Sequence, residues 1–150
     1  MLARLNLVIV TLWVGALWMT GLTAYVLFDN MQDKQLAGSL AGKLFNIVSY
    51  IGLASAFYLL IQRLIDCGTA SFKQGFFWAV FFMLLLILAG HFGVQPILAH
   101  LKASAMPNDV MQSVFADRFK TWHGVASVAY LLQCLLGVVL VLKVRYSRKN

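Results

Sequence analysis

GFFWAVFFMLLLILAGHFGVQPILAHL, residues 75–101, runs without a single Lys, Arg, Asp or Glu. Three more stretches share that property: Leu5–Phe28, Leu44–Gln62 and Thr121–Leu142. Each is about 19 residues or longer, enough for a helix rising ~1.5 Å per residue to cross a hydrocarbon core of ~30 Å. The chain therefore reads as all-α, an integral membrane four-helix bundle in one transmembrane domain (residues 1–150), with spans at about 5–28, 36–62, 75–101 and 121–142. The composition agrees, with 61% hydrophobic and 11% charged residues. A water-soluble domain of this size carries about 25% charged residues and cannot hide so much apolar side chain in one core. Connections are short and no Ser/Pro/Gly-rich linker divides the chain, which predicts a single bundle.

Arg4 opens the first stretch as it would a signal peptide. The apolar run that follows, about 24 residues, exceeds an h-region of roughly 7–15, and no A-x-A site closes it, so an uncleaved span is expected. Cys67 lies in the second connection and Cys134 near the middle of the fourth span; at such different depths a disulfide between them is not expected. Basic residues set the orientation. Arg4, Arg63, Lys73, Lys143, Arg145, Arg148 and Lys149 fall on one side; Lys34, Lys43, Lys102, Arg118 and Lys120 fall on the other. The positive-inside rule then places both termini in the cytoplasm (N-in/C-in) and the protein in the inner (cytoplasmic) membrane. Asp29, Asp33, Asp109 and Asp117 outside, with Asp66 inside, lean the same way. The basic tail reads as a stop-transfer anchor at anionic headgroups, so the expected partner is the lipid bilayer and not nucleic acid.

Small and polar residues predict the helix contacts. In the second span Gly38, Gly42, Phe45, Ser49, Gly52 and Ala56 recur as one narrow seam, with Gly38-x-x-x-Gly42 its most compact part. In the fourth, His123, Ser127, Tyr130, Cys134, Gly137 and Val141 repeat the spacing, which makes that face polar. In the third, Pro96 removes a donor and frees the carbonyl of Phe92, while Gly90 and Gly93 loosen the turn around His91; a kink is expected there. His91 and Gln95 share a face at i and i+4. Among the aromatics, Trp78 with Phe72, Phe76 and Phe77 marks the inner interface, as do Tyr58 and Tyr146; Trp122 and Phe28 mark the outer. Trp18 falls close to the midplane, where it packs on a glycine or stacks on a bound ring.

An ionisable residue inside a span is a functional candidate by default. The candidate cofactor- or solute-binding seam is therefore His91, Gln95, His123, Ser127 and Tyr130, and its bland reading is interhelical hydrogen bonding. Haem needs two axial ligands that meet one iron, and His91 and His123 differ in depth by ~8 Å at ~1.5 Å per residue. His100 matches His123 better, but at the headgroups. These two are also the weak metal candidates; with Met31, Met106 and Met111 nearby, copper is the metal such donors suit. No catalytic residues are assigned. The sequence contains no Glu, nucleotide loop, zincin helix or nucleophile elbow, so hydrolytic and phosphoryl-transfer chemistry lack their usual groups and an enzyme is not expected.

Several stretches resemble the transmembrane-protein-205-like family: Leu12-Trp13-Val14-Gly15-Ala16-Leu17-Trp18, Ala24-Tyr25-Val26-Leu27-Phe28, Leu36-Ala37-Gly38-Ser39-Leu40-Ala41-Gly42-Lys43-Leu44-Phe45, then Pro96, and Trp122-His123-Gly124-Val125-Ala126-Ser127. The likeness covers nearly the whole chain. It implies a small four-helix membrane protein without a settled biochemical activity, in a family whose eukaryotic members are linked to tolerance of platinum compounds. Tyr25 stands where that family has a proline. A fainter likeness of the Trp-Gly first helix points to copper-resistance membrane proteins and membrane protoporphyrinogen oxidases, which carry a first-helix histidine that this chain lacks. Three functions follow as expectations: binding or passage of a small solute or metal through the polar seam, as a homo-oligomer or with a membrane-complex partner, since four helices alone enclose little room; a structural or accessory subunit of a membrane complex, in which the same residues only join helices; and a haem- or porphyrin-binding redox protein.

Overall fold

The computed structural model describes residues 2–106 and 109–146; Arg148 and Lys149, counted above in the basic tail, lie outside the described residues, as do the side chains of Arg145 and Tyr146. Helix α1 (Leu2–Asn30) turns into α2 (Lys34–Cys67) at Asp33, whose Oδ1 accepts the N–H groups of Gln35 and Leu36 at 2.9 and 3.0 Å. That cap satisfies donors otherwise orphaned at a helix start, and it sets the start slightly before Leu36. Gly68 ends α2 with φ of +53°, its N–H returning to the Leu64 carbonyl, a backbone conformation that a side chain would oppose. A 3₁₀ turn (Gly68–Lys73) leads into α3 (Gly75–Leu88). A π-turn (Ala89–Val94) joins α3 end to end with α4 (Gln95–Ala105). After a short 3₁₀ turn (Val110–Gln112), α5 (Ala116–Tyr146) returns along the bundle.

Four stretches are long and apolar enough to cross a membrane: Arg4–Asn30, Lys34–Lys73, Gly75–Ala105 and Ala116–Val144. α1 and α3 each pack against both α2 and α5, so the helices close into a ring in the order α1, α2, α3, α5. Neighbours run antiparallel. Gly38 faces Phe28 and Lys102 at one end, Gly52 faces Trp13 and Ile87 in the middle, and the Arg63 guanidinium lies 5.7 Å from the Phe76 ring centroid at the other end.

Packing is uneven along this ring. The main core, built around Val10, Trp13, Leu59, Val80, Met83 and Leu140, fills the half nearer the α2–α3 connection. Beyond it a much smaller group of Leu17, Val48 and Cys134 continues, and further out the buried positions are mostly alanines: Ala24, Ala37, Ala41 and Ala105. Small side chains there let backbones approach, which is how helices associate where no hydrophobic drive separates them from solvent.

Three sequence expectations are corrected. Gly52 and Ala56 line the α2 seam as expected, but its outer part runs through Ala37, Ala41 and Val48; Gly42 is exposed and a Cβ there would meet nothing within 4 Å. Gly42 shares its face with Ser39 and Lys43, both exposed, and that polar side turns outward. Phe76 and Phe77 are core residues, whereas Phe72 and Trp78 face out, with Trp78 Nε1 donating to the Phe72 carbonyl at 2.8 Å. Trp18 is half-exposed on the outer surface, and the tryptophan packed against a glycine is Trp13. Cys67 and Cys134 are free thiols.

A Cβ on Gly52 would stand 2.6 Å from Ile87 Cδ1 and 2.9 Å from Trp13 Nε1. Gly52→Leu is therefore expected to destabilise the bundle by ~1–3 kcal/mol, the usual cost of overpacking, and Gly42→Leu to change stability by less than ~0.5 kcal/mol. Thermal unfolding in a mild detergent checks both; equal tolerance at the two sites would contradict this packing.

Candidate functional site

Pro96 has no N–H, so the Phe92 carbonyl loses the donor that an α-helix would give it. The chain answers with the π-turn: the Gln95 N–H reaches back five residues to the Gly90 carbonyl, and the helix widens over Ala89–Val94. His91 sits inside that turn. Its ring stands against Tyr50 of α2 (centroids 4.9 Å, interplanar 68°) and against Phe92 (4.8 Å, 90°). Nδ1 is buried and has no hydrogen-bond partner. Gln95, half-buried one turn on, makes no hydrogen bond to it; the expected kink-and-polar-face motif is thus a widened turn carrying an aromatic-flanked imidazole.

The other candidates belong to α5 and lie apart from His91. Tyr130 is half-buried; its hydroxyl donates to the Leu17 carbonyl of α1, and its ring meets Phe45 edge-on at 4.9 Å. Ser127 is exposed and donates to the carbonyl of His123 in its own helix at 2.9 Å. His123, also exposed, stacks on Phe119 (5.9 Å, 13°). Apart from that Ser127–His123 bond within α5, no hydrogen bond or ring contact connects any two of His91, Gln95, His123, Ser127 and Tyr130. His100 is exposed on α4, with Nδ1 3.5 Å from Ser104 Oγ. Among the described residues no three His, Cys, Asp or Glu side chains gather as a metal would require. His91 leans on α2 while His123 is exposed on α5, so the two imidazoles do not converge as the axial ligands of one iron would have to.

Two surface grooves are apolar. One of about 250 Å³ lies between α1 and α2 over Ala16, Thr20, Leu44 and Val48; one of about 450 Å³ lies between α3 and α5 over Phe82, Leu86, Leu132 and Leu136. Neither is lined by a candidate residue. Among the described residues Trp13, Leu17, Met83 and Leu140 are at most 1% exposed, so bulky side chains fill the bundle axis in the half nearer the α2–α3 connection.

Sequence reasoning missed four polar features. Trp13 Nε1 is buried and unpaired, and so are Asn6 Oδ1 and both side-chain polar atoms of Gln62. The signal for Asn6 was present, since it precedes Val10 and Trp13 at helical spacing; Gln62 continues the inward face of Ala56 and Leu59. Lys102, counted as a connection residue, lies on α4 with Nζ 5.7 Å from the Phe119 centroid, its stem running along the bundle.

Fold and site together define a small all-helical protein with four helices apolar enough to span a membrane and one half-buried imidazole, that of His91, midway along the third. The chain belongs to the family of the domain of unknown function DUF4149, whose model matches residues 7–107 and so takes in α1 to α4. Comparison with curated proteins and with solved structures found no match in either.

Tyr130 links α1 to α5 through one hydrogen bond to a carbonyl that is already inside a helix. Tyr130→Phe keeps the ring contact with Phe45 and should cost ~0.5–1.5 kcal/mol in thermal unfolding, with Tyr130→Ala costing more. No loss in either variant would show that the hydroxyl does not join the two helices.

Proposed function

We propose that this is an integral protein of the inner (cytoplasmic) membrane, one transmembrane bundle with both termini in the cytoplasm, that binds a small lipid-soluble ligand at His91. The observation that carries this reading is the unpartnered Nδ1 of His91, in the middle of an apolar span. Water does not reach such a depth, and a polar group left unsatisfied in hydrocarbon costs several kcal/mol. Nδ1 is closed off by its neighbours, so the ligand that offsets that cost reaches it when the exposed Tyr50 or Phe92 ring packed on the imidazole moves aside. The unpaired amide of Gln62 differs, because it lies near the bundle end, beside Arg63 and the Ser71 hydroxyl that donates to the Arg63 carbonyl, where a buried water suffices. Binding is favoured over passage, since core side chains fill the axis in the half nearer the α2–α3 connection. The resemblance to the transmembrane-protein-205-like family favours a resistance- or transport-type role for such binding.

A second reading, a structural or accessory subunit, is favoured by Tyr130 and Ser127, whose hydroxyls are already spent on backbone carbonyls. Under it the protein works as a homo-oligomer or with a membrane-complex partner.

Orientation is tested with reporters. Fusions after Asn150 and near Lys73 should read cytoplasmic, and fusions near Lys34 and Asn108 should read external; the reverse pattern would overturn the placement. Binding is tested at His91 itself. His91→Gln keeps a hydrogen-bonding group and should leave thermal stability within ~0.5 kcal/mol while removing small molecules that co-purify with the wild type, identified by mass spectrometry. His91→Gln indistinguishable from wild type in its co-purified molecules would refute binding at this residue and favour the accessory-subunit reading.

A further inference from the structure

Gly75 opens α3 with no side chain, and the Lys143 ammonium of α5 occupies the space that a Cβ there would need. From this point the two helices continue in step. Seven and eleven residues along α3 stand Phe82 and Leu86; seven and eleven residues back along α5 stand Leu136 and Leu132. Both offsets return a helix to nearly the same face. These four side chains, with Leu85 and Ala89, line the apolar groove of about 450 Å³ between α3 and α5. Trp78 stands between the two levels: its ring lies 5.8 Å from that of Phe82, and its Nε1 donates to the Phe72 carbonyl. One stripe therefore runs from an ammonium, at the end nearer the α2–α3 connection, into an apolar groove.

Charge decides what fits it. Lys73 comes two residues before Gly75, while Arg63 Nε donates to Gln74 and its guanidinium lies over the Phe76 ring, so three basic residues gather about the first turn of α3. No acidic residue stands in that turn. Among the described residues the ion pair formed is Lys120 with Asp117, at the opposite end of α5, and Lys143 has no carboxylate partner.

A second copy of the chain fits poorly. Pairing through this face, about an axis along the membrane normal, would bring the same three cations of each copy together. The groove also lacks the row of small residues over which helices pack closely, Ala89 being the one small side chain among its six. An acyl chain needs only apolar walls. Phe82 and Leu86 lie about 10 and 16 Å from Gly75 at ~1.5 Å per residue, and one leaflet of a hydrocarbon core of ~30 Å is about 15 Å deep, so a chain whose phosphate sits at Lys143 reaches the groove. A zwitterionic head group would add another cation where no carboxylate receives it; a net anionic one would not.

We infer that the α3–α5 groove and Lys143 together hold one anionic phospholipid, its phosphate at the Lys143 ammonium and one acyl chain along Phe82, Leu86, Leu132 and Leu136. The site is separate from His91. It rests on the bilayer placement proposed above, which the reporter fusions test independently. It also differs from a general attraction of the basic tail to headgroups, which needs no groove.

Native mass spectrometry of the purified protein, released from detergent micelles, reads bound lipid directly. The probes are dioleoylphosphatidylglycerol and dioleoylphosphatidylcholine, which share their acyl chains and differ in net charge. The wild type should retain one phosphatidylglycerol, roughly fivefold or more tighter than phosphatidylcholine, and Lys143→Gln should bring the two within about twofold. Leu132→Trp, at an exposed position of the groove, should weaken phosphatidylglycerol roughly fivefold. Thermal unfolding checks its fold, and Leu85→Trp, exposed on the facing helix, fills the same groove if Leu132→Trp does not fold. Arg148→Gln with Lys149→Gln should bind as wild type. Equal retention of the two lipids, or unchanged binding in Lys143→Gln or in the folded groove variant, overturns the inference. So does a tail variant that loses as much lipid as Lys143→Gln. Glycerol phosphate that displaces the lipid at equal concentration would assign an anion site without a groove and overturn it; a dimer that forms only as lipid is removed would assign the groove to a second copy, with the same result.

Discussion

The indole of Trp13 lies against the bare backbone of Gly52, and much of the bundle is arranged around that contact. Trp13 is fully buried, the bulkiest side chain in the core. It fits because α2 presents no side chain at position 52, and Ile87 of α3 closes on the same spot from the other side. Three helices thus meet at one glycine. From there the large side chains Met83, Leu59 and Leu140 fill the half of the ring nearer the α2–α3 connection, with Gly137 of α5 admitting Val14 and Met83 in the same manner. For helices that pack in a membrane, where apolar side chains gain little by leaving solvent, such close fits supply the association energy.

This concentration of bulk has a consequence for the other half. Past Ile87 the third helix reaches Gly90, His91 and Gly93, and its regular hydrogen-bonding pattern gives way to the π-turn that Pro96 demands. The dense core holds α3 firmly up to the point where the turn widens. The imidazole is therefore placed by rigid structure on one side while the segment that carries it is locally irregular, a combination common to binding residues set in π-turns. Tyr130, by contrast, spends its hydroxyl in joining α5 to α1, and Ser127 spends its own within α5.

Much of the fold could be read from the sequence because charges are costly in hydrocarbon and so mark where helices end. Asp33 and Gly68 bound α2 for local reasons that sequence also carries, and Pro96 with its two glycines announced the irregular turn. What could not be read was which side of each helix faces in. Helices as apolar as these four are apolar nearly all round, so periodicity has little contrast from which to choose a face. Ala41 and Gly42 are equally small, and Trp13 and Trp18 equally hydrophobic; only packing against specific neighbours separates them. The candidate seam suffered for the same reason. His123 and Ser127 follow the spacing of Tyr130 and Cys134, yet only the latter pair turns toward α1 and the core. His91 was legible because it is ionisable and sits beside Pro96, whereas its neighbour Tyr50 on α2 gave no signal in sequence.

The most direct test of this account is a double-mutant cycle between Trp13 and Gly52, read by unfolding in detergent. Gly52→Ala should destabilise the wild-type protein, because its methyl group meets both Ile87 Cδ1 and Trp13 Nε1. On a Trp13→Phe background, where the indole Nε1 is gone and only the flexible end of Ile87 remains in the way, the same change should cost less, giving a coupling free energy of ~1 kcal/mol. Additivity of the two substitutions within ~0.3 kcal/mol would mean that they do not touch, and would contradict the arrangement of the bundle around this contact.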